Sequence, residues 1–188
     1  MSGIHYAILD HLKTTLTADL ITKVLEDDED DNAVPGAIKI GPLQGDPDPD
    51  EARISVEIYL NDPDTFVGGA VTSLGKTWAD EVEMIEAGNA ITMKRRFTIK
   101  TRCLLEKTRE DLAGAHDINS KLLSRIQASL LNTSFTGVAA DDGEYVARGI
   151  FSESLTTEVL QAGGPPDNYD FVGKIRFDVL TTKTGAQL

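Results

Sequence analysis

The chain of 188 residues is long enough to bury one substantial core, and no break in composition divides it into two domains. Its formal charge of −13 opposes tight, broad binding to duplex DNA, because affinity there grows with the number of phosphates neutralised. An aromatic content of 6% against 40% hydrophobic residues points to an aliphatic core and away from a large aromatic-lined ligand cavity. The first predicted element is a helix of about six turns, marked by Ile4, Ile8, Leu9, Leu12, Leu16, Leu20, Ile21, Val24 and Leu25 at three- and four-residue intervals. Ser2 stands where a cap belongs. The helix is expected to stop at the run Glu26 to Asp31, whose adjacent anions repel one another and oppose the C-terminal end of the helix dipole.

Pro and Gly then surround a short strand, Ala37 to Ile40, before a loop rich in Asp and Pro. The next strand covers 53–60, with Ile54, Val56, Ile58 and Leu60 inward, and Asn61 to Asp64 ends it. The stretch from Phe66 to Trp78 is Gly-containing and weakly periodic, which fits an extended excursion from the domain. Its apolar residues Phe66, Val67, Val71, Leu74 and Trp78 need a partner surface. Together with the hairpin that follows, the excursion occupies about 61–90 of a single domain spanning 1–188.

The most informative segment is Ile91 to Leu105. Ile91, Met93, Phe97, Ile99 and Cys103 alternate with Thr92, Lys94, Arg96, Thr98, Lys100 and Arg102, the period of a strand covered on one side, before the pattern turns helix-like. The wet face of this strand is basic. At well over the usual ~5 to 6 residues, part of the strand is expected to project beyond its own sheet, where another chain could pair with it. Glu81 to Ala87 and the turn Gly88-Asn89 make it the second arm of a β-hairpin, in which Glu81, Glu83 and Glu86 can lie opposite Lys94, Arg95 and Arg96. Exposed pairs of that kind contribute ~0.2 to 1 kcal/mol, enough to favour a register but not to hold a fold. Charge is divided sharply here, with 17 acids against 3 bases over 26–89, and 7 bases against 1 acid over 90–109.

A second helix is expected over 111–132, burying Ile118, Leu122, Leu123, Ile126, Leu130 and Leu131. Glu144 to Phe151 reads as a strand, followed by a segment that holds a further extended piece. Tyr169 to Thr181 closes the chain with Phe171, Ile175, Phe177 and Val179 alternating against Asp170, Lys174, Arg176 and Asp178. The order predicts an α+β fold: a mainly antiparallel, twisted sheet with two helices on one face, plus extended hairpin or arm excursions.

No catalytic constellation stands out. His5, His11 and His116 form no zinc pattern, there is no nucleophile elbow, and no cysteine-histidine signature occurs. Asp46, Asp48, Asp50 and Glu57 imitate calcium-loop spacing, but Pro47 and Pro49 constrain the loop and Glu51 stands where a glycine is required. Gly68-Gly69 and Gly163-Gly164 belong to no phosphate-binding motif and read as hinges. Asn132-Thr133-Ser134 is a helix-ending turn in this reading. Neither a cofactor nor a metal is expected, and the abundant carboxylates lack the partnered base or nucleophile that a hydrolytic enzyme needs. The single Cys103 is expected as a buried thiol in a reducing compartment. The N-terminal MSGIHYAILDHL has no signal-peptide pattern, and no apolar run approaches the ~20 residues that span a bilayer, so a soluble protein away from membranes is expected.

The N-terminal helix, the hairpin WADEVEMIEAGNAITMKRRFTIKTRCLL, the helix with DINSKLLSRIQASLL and the closing strands GEYVARGIF and GKIRFDVLT together resemble the tail terminator, or tail completion, proteins of long-tailed bacteriophages and their relatives in the head-to-tail neck. The resemblance covers most of the chain but not the acidic run or the Phe66 to Trp78 excursion. It implies a non-enzymatic virion protein, assembled in the host cytoplasm, that forms a ring of usually six copies at the tail-neck junction. The ring caps the tail tube, meets a neck or head-completion protein, and lets genomic DNA pass without specific binding. Closing such a ring needs heterologous contacts, for which Phe66, Val67, Val71, Leu74, Trp78, Lys94, Arg96, Lys100 and Arg102 are the interface candidates. Another neck component or a tail tube subunit is the alternative within the same class, and a generic binding module is the alternative outside it.

Overall fold

The computed structural model describes residues 3–19, 36–41, 54–60, 82–87, 90–106, 112–162 and 168–184. Along the chain these form α1 (Ile4–Ala18), β1 (Gly36–Ile40), β2 (Ile54–Leu60), β3 (Val82–Ala87), β4 (Ala90–Glu106), α2 (Leu112–Asn132), β5 (Tyr145–Ala162) and β6 (Asn168–Lys183). The fold is α+β. Its six strands make one sheet in the order β1-β2-β4-β6-β5, with β3 pairing the early part of β4 beside β2. All pairings are antiparallel except β1 with β2.

Alternation along β4 and β6 creates two faces. Phe97, Ile99, Thr101 and Cys103 on β4 stand beside Phe177, Ile175, Gly173 and Phe171 on β6, and every one of the seven with a side chain is buried. Both helices cover this face. From α1 come Ile4, Ile8, Leu9, Leu12 and Leu16, and from α2 Leu122, Leu123, Ile126 and Leu130, all within one continuous core. Leu131 was expected inside but is 55% exposed, because the step of ~100° per residue that points Leu130 into the core carries its neighbour off the buried stripe.

The three histidines pack against core aromatics. The His5 ring stacks on Phe97 at 4.5 Å, His11 tilts on Phe135 at 5.4 Å, and His116 meets the edge of Phe171 at 6.2 Å. His11 Nε2 also donates to the carbonyl of Ser134 at 2.6 Å, tying α1 to the turn after α2. The two helices are joined again where Ser129 donates to the carboxylate of Asp19, the residue that follows α1. Gly3 stands at the N-cap of α1 with no side-chain cap bond, while Ser2 and 20–35 lie outside the described residues. As expected, α2 ends at Asn132, where the Thr133 amide turns back to the Leu130 carbonyl. Among the described residues no helix is long and apolar enough to cross a membrane.

Two elements run further than the alternation indicated. β4 stays extended through Leu104 and Leu105 to Glu106, without the helical turn expected there, because β6 pairs it as far as Asn168. β5 continues past Phe151 through a bulge: it advances from Phe151 to Thr156 while β6 moves only from Asp178 to Arg176. Ser154 anchors the bulge, donating to the Phe151 carbonyl at 2.6 Å and accepting the Asp178 amide at 2.7 Å.

Candidate assembly surface

The face of the sheet turned away from the helices carries Lys94, Arg96, Lys100 and Arg102 on β4 and Lys174, Arg176 and Asp178 on β6. Register sets what each one meets. Arg96 lies opposite Asp178, and its Nε donates to Asp178 Oδ1 at 3.1 Å. The carboxylate is 8% exposed and the guanidinium 56%, so one end of this pair is desolvated while the other is screened by water. Lys94 lies over the ring of Phe151 at 4.4 Å, a cation on an aromatic face across three strands. Arg176 reaches Glu158 on β5 at 3.5 Å, with both side chains about half exposed. Lys100 stands directly opposite Lys174, a like-charge juxtaposition that costs a sheet a few tenths of a kcal/mol in isolation, ~0.2 to 1 kcal/mol by the range for such pairs.

The expected acid-to-base pairing across the β3–β4 hairpin holds at one point in the register. Glu83 is opposite Lys94, whereas Glu86 is opposite Ile91 and Val82 opposite Arg95. Glu81 lies outside the described residues. Arg95 belongs to the helix-covered side instead. Its Nε donates to Thr181 Oγ1 at 3.0 Å and its guanidinium sits 5.0 Å from the centre of the Tyr145 ring, closing one end of the core. Burial pushes its pKa down, partly opposed by Tyr145. A guanidinium keeps its charge under such a perturbation, so Arg95 closes the core as a cation on an aromatic ring. Nearby, the hydrogen bond and charge of Glu144 raise the pKa of Lys183 across a 2.9 Å contact that pins the end of β6 to the start of β5. With a raised folded pKa, this tie is fully present up to the ordinary lysine value and is lost as pH rises beyond it, through the raised value of the folded state.

One expectation about β4 is corrected. It does not offer a free edge, because β6 pairs it from Thr92 to Glu106 on one side while β3 and β2 take successive parts of the other. The length that seemed to project is consumed by pairing within the chain. The ends of the main strand order are β1 and β5, and β3, off that order, pairs β4 on one side and no other strand among the described residues. The first part of β5 is covered on its outer side by 138–140, where the Ala147 amide donates to the Val138 carbonyl and the Ala140 amide to the Tyr145 carbonyl. Gly143, at a φ of 68° that favours glycine, makes the tight turn between them. Among the described residues no strand lies on the outer side of β5 beyond Val146.

The structure therefore brings Lys94, Arg96, Lys100 and Arg102 onto one surface, while Phe66, Val67, Val71, Leu74 and Trp78 lie outside the described residues, as do Asp46, Asp48 and Asp50. Sequence reasoning missed the β5 edge and its bulge, whose only linear signal is the lapse in alternation at Ser152 to Leu155. Cys103 is a buried thiol, and its Sγ donates to Asn119 Oδ1 at 3.5 Å. Among the described residues no three His, Cys, Asp or Glu side chains gather as a metal site would require. Comparison of the sequence with protein-family models and with curated proteins gives no match to either.

Proposed function

We propose that this chain is a structural virion protein, a tail-terminator-like subunit that assembles into a ring, caps the tail tube and joins the tail to the neck. Its partners in this reading are copies of itself, the tube protein below and a neck or head-completion protein above, with DNA passing through the ring and held by none of them. The resemblance in element order supports the reading, and one structural observation carries it. Three neighbouring strands, β4, β6 and β5, run 17, 16 and 18 residues, where a strand of ~5 to 6 is common. At ~3.3 Å per residue the ribbon is roughly 55 Å long, far more than two helices of 15 and 21 residues need beneath them, and β5 forms its outermost strand. Long sheet edges of this kind are what subunits use to join one another.

Electron microscopy tests this with purified protein, alone and mixed with tail tubes assembled from the tube protein of the same phage. Single rings seated at tube ends are the expected result. Persistent monomers that ignore the tubes would refute it, and continued stacking of this chain alone would identify a tube subunit.

A further inference from the structure

The direction of each backbone group on the edge strands β5 and β1 follows from a few hydrogen bonds. Ala147, whose amide leaves the ladder for Val138, is the register partner of Thr181, so both residues point their amides and carbonyls away from the β5–β6 seam. Backbone groups change sides at every residue along a strand, and β6 pairs with β4 without interruption, so its odd-numbered residues address β4 and its even-numbered ones address β5. The Asp178 amide, bonded to Ser154 on the β5 side, agrees. Past the bulge, Thr156 and Glu158 stand opposite Arg176 and Lys174 and therefore bond inward. Thr157, Val159 and Gln161 direct theirs outward. On β1, the Gly41 amide donates to the Leu60 carbonyl of β2 at 3.1 Å, so Ala37 and Lys39 share its direction while Ile38 and Ile40 face the outside.

We propose that the outer edge of β5, over 156–162, pairs with the outer edge of β1 on a second copy of this chain, so that the sheet continues across the subunit boundary. The inference rests on the ring reading and specifies its contact. Strand direction favours it. β1 runs with β2, and three successive antiparallel pairings separate β2 from β5, so β5 runs opposite to β1. Copies related by rotation about an axis along the strands would therefore join β5 to β1 antiparallel, the slightly stronger mode of pairing. The two edges are different patches, so the contact is heterologous and each copy supplies one of each, which is the arrangement that closes into a ring. The sizes agree as well: the cover at 138–140 and the bulge leave seven residues of β5 to receive the five of β1.

Proline on either edge removes one outward amide and leaves the inward ladder intact. The test compares wild type, Thr157→Pro and Ile38→Pro by native mass spectrometry and sedimentation, with Thr157→Val and Ile38→Val as controls that alter the side chain and keep the amide. Circular dichroism and a cooperative melt confirm folding. Wild type and controls should assemble, each proline variant should be monomeric, and a one-to-one mixture of the two should give a heterodimer joined through the one intact β5 and the one intact β1. Assembly by Thr157→Pro at wild-type mass, an Ile38→Pro protein that stops at homodimers, or a mixture holding monomers alone would overturn the β5-to-β1 contact and leave the ring reading standing. A wild type that stays monomeric at every concentration, with tail tubes present as well as without them, overturns both. Should Ile38→Pro not fold, hydrogen exchange on wild type decides: the amides of Ile38, Ile40, Thr157, Val159 and Gln161 should exchange at least tenfold more slowly in assembled than in diluted protein, and equal rates overturn the contact.

Discussion

Gly173 shows how one missing side chain sets the spacing between helix and sheet. A Cβ there would stand 2.6 Å from Leu123 Cδ2 and 2.6 Å from Thr101 Oγ1. Leu123 is 2% exposed and Thr101 fully buried, so neither has room to yield. Gly173→Ala is expected to destabilise by about 1 to 3 kcal/mol in denaturant titration, and to cost less in a Leu123→Ala background, where the clash with Thr101 alone remains. Thr101 makes the opposite case. Its hydroxyl is buried with no hydrogen-bond partner, so Thr101→Val, which keeps the shape and removes the polar atom, should leave the melting temperature unchanged or raise it. Alternation alone placed Phe171, Ile175, Phe177, Val179 and Cys103 inside, and all are buried. It could not show that Gly173 is required by α2, because the atoms it would strike lie 50 and 72 residues away in sequence, on Leu123 and Thr101.

At the scale of elements, β5 is the strand that departs most from its linear pattern. The lapse at Ser152 to Leu155 looks like the end of a strand, yet Ser154 substitutes for a ladder partner by accepting the Asp178 amide and holding the Phe151 carbonyl. Ser154→Ala should leave that amide unsatisfied beside a residue only 6% exposed, a loss of about 1 to 3 kcal/mol. Faster hydrogen exchange at Asp178, with β6 otherwise protected, would locate the effect in the bulge, and unchanged exchange would assign the bond no weight. β4 teaches a related lesson. Its length and two-faced pattern were legible, but its neighbours were not, and a strand flanked on both sides cannot serve as the free edge that its length suggested. The hairpin with β3 was readable because Gly88-Asn89 joins the arms locally.

For the whole molecule, the ring reading carries a prediction that distinguishes closure from growth. A closed ring reaches a fixed mass that does not rise with concentration, whereas head-to-tail stacking continues to grow, so sedimentation over a hundredfold range of protein concentration should show a plateau. Mass that climbs without limit would favour a tube subunit. The amino-acid sequence by itself determined the periods: 3.6 for α1 and α2 and two for β4 and β6, hence most of the apolar residues that turn inward, Leu131 excepted, and that two helices cover one face of a sheet. It did so because period is a local property, set by how each residue type divides between water and core. Tertiary structure alone decided the strand order, the burial of β4 in the middle of the sheet and the position of β5 at its edge. Those depend on pairings such as Phe97 with Phe177, between residues far apart along the chain, where backbone hydrogen bonds are the same for every residue and only the packed whole selects the neighbour.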